Sequence, residues 1–276
     1  MEILLAKSAG FCFGVKRATQ MAFDAVNHYS SLQSLGPLIH SPQMVKKLED
    51  HGIRVCHQVE DADGDALIVR SHGVTATEMT ALHASGKAVV DATCPFVTRA
   101  QKHAAELSRD AGLLVIVGEA HHPEVKGILS YATGDVQVVA NVEQARKLPQ
   151  CRKMGIIAQT TQSLDNFREI VGVCLEKTRD LKIYNTICDA TSVRQEEAVA
   201  IARQVELMLV VGGYNSANTR RLAELCREQG TTTHHLETAA EIDPAWFAGI
   251  DRVGLTAGAS TPQFLIDEII TRLRAL

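Results

Sequence analysis

The chain has 276 residues, a net charge of −4 and only 4% aromatic residues. That length allows a substantial core in one large domain or two to three small ones, while dispersed Lys and Arg and scarce aromatics argue against nucleic acid as a partner. Seven cysteines without a CxxC pair make no disulfide framework, no apolar run approaches the roughly 20 residues of a membrane span, and the start M-E-I-L-L-A-K-S-A-G-F-C lacks signal-peptide character, so a reducing, cytoplasmic setting with no membrane partner is expected.

Ile3 to Leu5 reads as a strand leading to Cys12, where C-F-G-V-K-R-A opens a helix with Val15, Ala18, Ala22, Ala25 and Val26 on one face. L-G-P-L-I-H-S-P closes a strand at His40, and A-L-I-V-R-S-H-G closes another at Ser71 and His72. Ala88 to Val90 reads as a strand ahead of Cys94, followed by a helix with Val97, Ala100, Ala104 and Leu107 on one face. L-L-V-I-V-G-E-A-H-H-P-E brings His122 and Glu124 to a strand end, and G-I-I-A-Q-T-T-Q does the same for Thr160 and Thr161. Leu181 to Ile187 reads as a strand up to Cys188, followed by a helix with Val193, Ala198, Ile201 and Val205. L-M-L-V-V-G-G-Y-N-S-A-N-T then carries Ser216 and Asn218, and V-G-L-T-A-G-A-S-T-P carries Ser260.

One interval recurs: 28 positions separate Cys12 from His40, Cys94 from His122 and Cys188 from Ser216. An arginine follows each of these cysteines by five or six positions, at Arg17, Arg99 and Arg194. The repetition implies three copies of one α/β unit. We expect pseudo-equivalent units at 12–94 (Cys12, His40, His72), at 95–187 (Cys94 at its start, His122, Glu124, Thr160) and at 188–276 (Cys188, Ser216, Asn218, Ser260), with the N-terminal strand 1–11 joining the third. Strands alternating with helices imply mainly parallel sheets with ligands at their carboxyl ends, so all nine loops could face one centre. Each cysteine falls near a helix N-terminus, where the dipole favours thiolate over thiol.

Three soft thiolates suit an iron-sulfur cluster with one position left for a substrate. Zinc is the competing metal, but structural zinc sites show four ligands in closely spaced pairs, unlike these distant cysteines. A lone cysteine nucleophile would not require three equivalents. Cys56, Cys151, Cys174 and Cys226 lack the shared flanking residues and read as small buried hydrophobes. His28, His51, His57, His83, His103, His234 and His235 read as surface residues or satisfied core donors. His40, His72, His122, Ser216, Asn218 and Ser260 instead form a donor set suited to a phosphate oxyanion, without a Walker loop. Glu124 has two readings: a first-turn glutamate stabilised by the helix that Pro123 opens, or a proton donor beside the cluster, with Thr160 or Thr161 holding substrate and relaying protons.

These residues resemble the 4-hydroxy-3-methylbut-2-enyl diphosphate reductase family over nearly the whole chain. The resemblance rests on A-G-F-C-F-G-V at 9–15, S-H-G at 71–73, D-A-T-C-P at 91–95, H-P-E-V-K-G at 122–127, Q-T-T at 159–161, N-S-A-N-T at 215–219 and T-A-G-A-S-T-P at 256–262. It implies three α/β units around a central 4Fe-4S cluster held by Cys12, Cys94 and Cys188. It further implies diphosphate ligands at His40, His72, His122, Ser216, Asn218 and Ser260, a proton source at Glu124 and active-site hydroxyls at Thr160 and Thr161. Ala217 stands where many members have a second serine, so one hydroxyl contact is absent. The activity implied is reductive dehydroxylation of that substrate to isopentenyl and dimethylallyl diphosphates, the terminal step of the non-mevalonate isoprenoid pathway. Because no G-x-G-x-x-G fingerprint occurs, the resemblance points to an external electron donor such as ferredoxin or flavodoxin. No transit peptide or appended RNA-binding domain is expected. The rival readings are a non-redox iron-sulfur hydro-lyase, which would consume no reductant, and an iron-sulfur sensor of a phosphorylated metabolite, which would not turn over.

Overall fold

The structure, a computed structural model, describes residues 1–276. Its strands in chain order are β1 (Glu2–Leu5), β2 (Leu32–Leu35), β3 (Ile53–Cys56), β4 (Ala66–Val69), β5 (Ala88–Asp91), β6 (Leu113–Val117), β7 (Val136–Val139), β8 (Cys151–Ala158), β9 (Thr178–Ile183), β10 (Leu207–Val211), β11 (Thr232–Leu236) and β12 (Arg252–Ala257). The helices are α1 (Phe13–Val26), α2 (Pro42–Asp50), α3 (Ala76–Ala84), α4 (Pro95–Asp110), α5 (Pro123–Ser130), α6 (Val142–Arg146), α7 (Leu164–Leu175), α8 (Asp189–Ala202), α9 (Ala217–Glu228) and α10 (Gln263–Arg274). They build three four-stranded sheets in which every pairing is parallel, an α/β architecture of three similar sheets.

The chain divides into two compact units. One comprises residues 1–16, 39–46 and 189–276. Its sheet has the order β1-β12-β10-β11, with Ile3 beside Val253 and Leu209 beside Leu255. Strand β10, L-M-L-V-V, is buried at every position, the continuous apolar run of a strand covered on both faces. Leu209, Leu255, Ile266, Ile269 and Leu273 pack on one side of it, while Met208, Val210, Ala198, Ile201, Leu222 and Cys226 pack on the other.

The other unit comprises residues 17–38 and 47–188 and holds two sheets, β3-β2-β4-β5 and β7-β6-β8-β9. Strands β4 and β6 are buried throughout for the same reason as β10. Leu113, Val115, Ile156, Phe167 and Ile170 fill one side of the second sheet, and Ala100, Ala104, Leu107, Leu114, Ile116 and Ile128 fill the other. Leu35, Leu67, Val69, Val74 and Leu82 make the core of the first sheet. No helix is long and apolar enough to cross a membrane.

Three local expectations fail for identifiable reasons. The strand ahead of Cys188 stops at Ile183, because Thr186 replaces the ladder beyond it: its Oγ1 accepts from Ala158 N–H (2.8 Å) and donates to Ala158 O. On α8, Val193 is 53% exposed, while Thr191, Arg194 and Gln195 join Ala198 and Ile201 on the buried face and Val205 lies beyond the helix end. Cys151 is half-buried at the start of β8 rather than buried, whereas Cys56, Cys174 and Cys226 are in the core.

Candidate active site

Every residue singled out for chemistry follows the carboxyl end of a parallel strand, where loops lie free of the ladder. In the second unit, Cys94 follows β5 and is the N-cap of α4, with Pro95 at the first helical position. Its thiol makes no capping hydrogen bond, and its N–H donates to Ser71 O (3.0 Å), which ties it to the S-H-G loop after β4. Ser71 is itself fixed, since its N–H and hydroxyl both donate to Leu38 O at 3.1 Å. Gly73 completes the loop at φ +73°, where an added Cβ would lie 2.8 Å from Gln101 Nε2.

His72 therefore stands beside the cysteine loop, and its ring meets His122 edge to face at 5.7 Å. His122, 7% exposed, is the N-cap of α5, and its Nδ1 accepts from Glu124 N–H (3.1 Å). A ring nitrogen that accepts carries no proton, so Nε2 is the ring nitrogen through which this imidazole donates.

Glu124 is 2% exposed. Its Oε1 accepts from Thr160 N–H (2.6 Å) and its Oε2 from the Thr160 hydroxyl (2.9 Å), while Thr160 O in turn accepts from Cys188 N–H (3.0 Å). Burial raises the carboxyl from 4.5 to about 7, against the opposing effect of the two Thr160 hydrogen bonds. An acid of that strength exchanges its proton near neutrality, and the Glu124–Thr160 hydroxyl bond can reverse direction as it does so. Thr161 is half-buried and its Oγ1 accepts from Gln159 Nε2 (3.1 Å), leaving its own hydrogen for another acceptor.

The raised pKa of Glu124 makes stability depend on pH. Folding favours protonated Glu124, so its contribution is fully present below pH 4.5 and is lost as pH rises through about 7. Over that window the wild type should lose up to about 3 kcal/mol that Glu124→Gln does not lose. Denaturant midpoints of both proteins at pH 5, 6, 7 and 8 check this; parallel curves would contradict it.

In the first unit, Cys12 precedes α1 and its N–H donates to Ala259 O (3.0 Å), next to Ser260. The Ser260 hydroxyl donates to His40 O (3.1 Å), and Gly213 packs on the same carbonyl, where a Cβ would lie 2.7 Å away. Ser260 would have to turn its hydroxyl from that carbonyl to donate to a phosphate. Ser216 is the N-cap of α9, its Oγ accepting from Thr219 N–H (3.3 Å), so its hydroxyl hydrogen remains for an external acceptor. Asn218 is 3% exposed, yet neither Oδ1 nor Nδ2 has a hydrogen-bond partner within the protein. A buried amide without partners is costly, and a polar ligand at this helix start would satisfy it.

The cysteines separate by environment. Burial pushes Cys174 up to about 11, Cys226 up to about 12 and Cys56 upward, which disfavours the thiolate a metal needs. Cys12, Cys94 and Cys188 are half-buried at loop ends and take part in no disulfide. No three His, Cys, Asp or Glu side chains converge on a point as ligands of one ion would. In a 4Fe-4S cluster each thiolate holds a different iron, so these three fit that group by donor type and accessibility.

Sequence reasoning passed over Gln159, 2% exposed, whose Oε1 accepts from Glu119 N–H (3.0 Å) while its amide supports Thr161. Its signal was a polar residue directly after the apolar strand G-I-I-A. A surface hollow lined by Gln150–Lys153 and Glu176–Asp180 sits at the opposite, amino ends of β8 and β9, and no candidate residue lines it.

A sequence model of the LytB protein family matches residues 3–274. The chain belongs to the LytB family. This LytB chain is 56% identical to a 4-hydroxy-3-methylbut-2-enyl diphosphate reductase of Geobacter metallireducens over 276 residues, covering all of this chain and 98% of the relative. It is 55% identical to the enzyme of the same name from Pelobacter propionicus, covering 99% and 98%. Among solved structures, the LytB chain is similar to (E)-4-hydroxy-3-methyl-but-2-enyl diphosphate reductase, the terminal enzyme of the non-mevalonate pathway, at 41% identity and a TM-score of 0.70 over the full length of both. The corresponding reductase from Plasmodium falciparum matches at 26% identity and a TM-score of 0.92, covering 98% of this chain and 87% of that one.

Proposed function

We propose that the chain removes the hydroxyl of 4-hydroxy-3-methylbut-2-enyl diphosphate as water, with two electrons and two protons, to give isopentenyl and dimethylallyl diphosphates. Its full-length identity to reductases of that name supports the substrate, and the buried Glu124–Thr160 pair is the single observation that carries the chemistry. A 4Fe-4S cluster held by Cys12, Cys94 and Cys188 would supply Lewis-acid and one-electron chemistry. An external carrier such as ferredoxin or flavodoxin would deliver the electrons one at a time.

The chain's own residues handle anchoring and protons. His122 Nε2–H, His40, His72, the Ser216 hydroxyl, the Asn218 amide and Ser260 would hold the diphosphate, where the N-terminus of α9 adds backbone N–H groups. Protonated Glu124 passes its proton through the Thr160 hydroxyl to the leaving hydroxyl, which departs as water. The second proton enters at one end or the other of the three-carbon allylic unit, and its position selects the product. Thr161, held by Gln159, is placed to orient the substrate hydroxyl.

The test is anaerobic turnover with a measured electron count. Two reducing equivalents consumed per isopentenyl or dimethylallyl diphosphate formed support a reductase, and loss of water from the substrate without reductant, to a product two electrons more oxidised, would establish a hydro-lyase instead. The same preparation tests anchoring. The free alcohol lacking the diphosphate should bind at least several hundredfold more weakly, since several charge-assisted hydrogen bonds of about 1.5–3 kcal/mol each are lost. Equal affinities in an anaerobic titration would rule out the anchoring set.

A further inference from the structure

We propose that Arg194 and Arg17 are positioning residues for two of the cluster-ligating cysteines, each guanidinium holding the backbone carbonyl just ahead of one. Arg194 Nη2 donates to Gly10 O (2.7 Å), two residues before Cys12, and Arg17 Nη1 donates to Thr93 O (3.1 Å), directly before Cys94. The inference rests on the iron-sulfur reading of those cysteines.

Arg194 is 5% exposed and lies on the face of α8 where an apolar residue would ordinarily pack. A buried guanidinium is costly unless its donors are used. Arg194 uses its two Nη groups on two carbonyls at once, Nη1 on Ala190 O (2.9 Å) in its own helix and Nη2 on Gly10 O beyond it, a task that suits a planar fork. The loop it holds is fixed from the other side by Cys12 N–H on Ala259 O, and it turns at Gly10 with φ +97°. Two residues span at most about 7 Å, so the guanidinium is a permanent positive charge close to Cys12.

Arg17 repeats the device at Cys94 from a half-buried position, beside Asp91, Thr98, Arg99 and Lys102. The third arginine of the repeat does not. Arg99 is exposed and its Nε donates to His103 Nε2 (3.4 Å), while the run before Cys188 is held by Thr186 and by Thr160 O. Arg99 is therefore an internal control. Guanidinium contacts of this kind fix cysteine geometry, and their charge favours the reduced, more negative form of a bound cluster.

The experiment compares Arg194→Met, Arg194→Lys, Arg17→Met and Arg99→Met with wild type, each purified anaerobically as the full chain. Three readouts are taken: iron content, amide hydrogen exchange by segment and the midpoint potential followed by EPR. Arg194→Met should speed exchange around residues 10–14 about tenfold and leave 93–97 unchanged, and Arg17→Met should do the reverse, severalfold. The one-electron midpoint of Arg194→Met should fall by a factor of about ten in reduced fraction, or about 59 mV. Arg194→Lys should recover the potential but not the protection, and Arg99→Met should change neither. Unchanged local exchange and unchanged potential in both Arg194→Met and Arg17→Met would overturn the proposal, as would exchange rising evenly over the chain. If Arg194→Met does not fold, Arg194→Lys and Arg17→Met decide by the same segment-specific criterion. Absence of iron from anaerobic wild type would refute the cluster reading itself, and the exchange pattern would still decide the clamps.

Discussion

Serine in place of Cys12, Cys94 or Cys188 is expected to bring iron content to near zero and reductase activity down by at least about two orders of magnitude. Iron binds the soft thiolate, and a hard hydroxyl that stays protonated near neutrality is a poor replacement. The half-buried positions of these three leave room for the exchange, so their serine variants should fold. Cys174→Ser and Cys226→Ser make the opposite case. Both thiols are 0% exposed among apolar neighbours, and a hydroxyl there costs about 1–3 kcal/mol of stability without touching iron. Iron and sulfide counts on anaerobic protein, alongside thermal midpoints, separate the two groups. Full iron in any variant of the first group would break the ligand assignment.

Glu124→Gln should cost about 10²–10⁴-fold in turnover while cluster and substrate binding persist, because an amide keeps size and hydrogen bonding but holds no transferable proton. The rival reading, a glutamate that merely steadies a helix start, confines the effect to less than about 1 kcal/mol of stability. The geometry weighs against that rival. Glu124 does sit in the first turn of α5, but its carboxyl is turned inward onto Thr160 and is shielded from water. Steady-state rates with a dye donor from pH 5 to 9 decide the matter. In the wild type, turnover should fall as pH rises through about 7 and the carboxyl loses its proton; the residual rate of the variant should lack that limb. Near-normal rates in the variant would remove Glu124 from the proton path.

The sequence by itself determined the strands β4, β6, β10 and β12, the parallel α/β class and the placement of the candidate site residues after strand ends. These are local properties. Continuous apolar runs such as L-L-V-I-V suffice for a doubly covered strand, and the recurring interval from each cysteine to a polar loop is visible without a fold. Helix faces of small apolar residues were equally legible in α1 and α4, where Ala18, Ala22, Ala100 and Ala104 are fully buried. What only the tertiary structure decided depends on partners distant in the chain. The raised pKa of Glu124 could not be read from H-H-P-E, because desolvation and the bonds from Thr160, 36 positions away, set it. Nor could periodicity reveal that α8 buries Arg194 and exposes Val193, since the compensating acceptor is Gly10, 184 positions away. The end of β9 at Ile183 likewise follows from a Thr186 hydroxyl that takes over both backbone groups of Ala158. In each case a polar side chain met its hydrogen-bonding need through a remote segment, and hydrophobic patterning carries no record of such a bond.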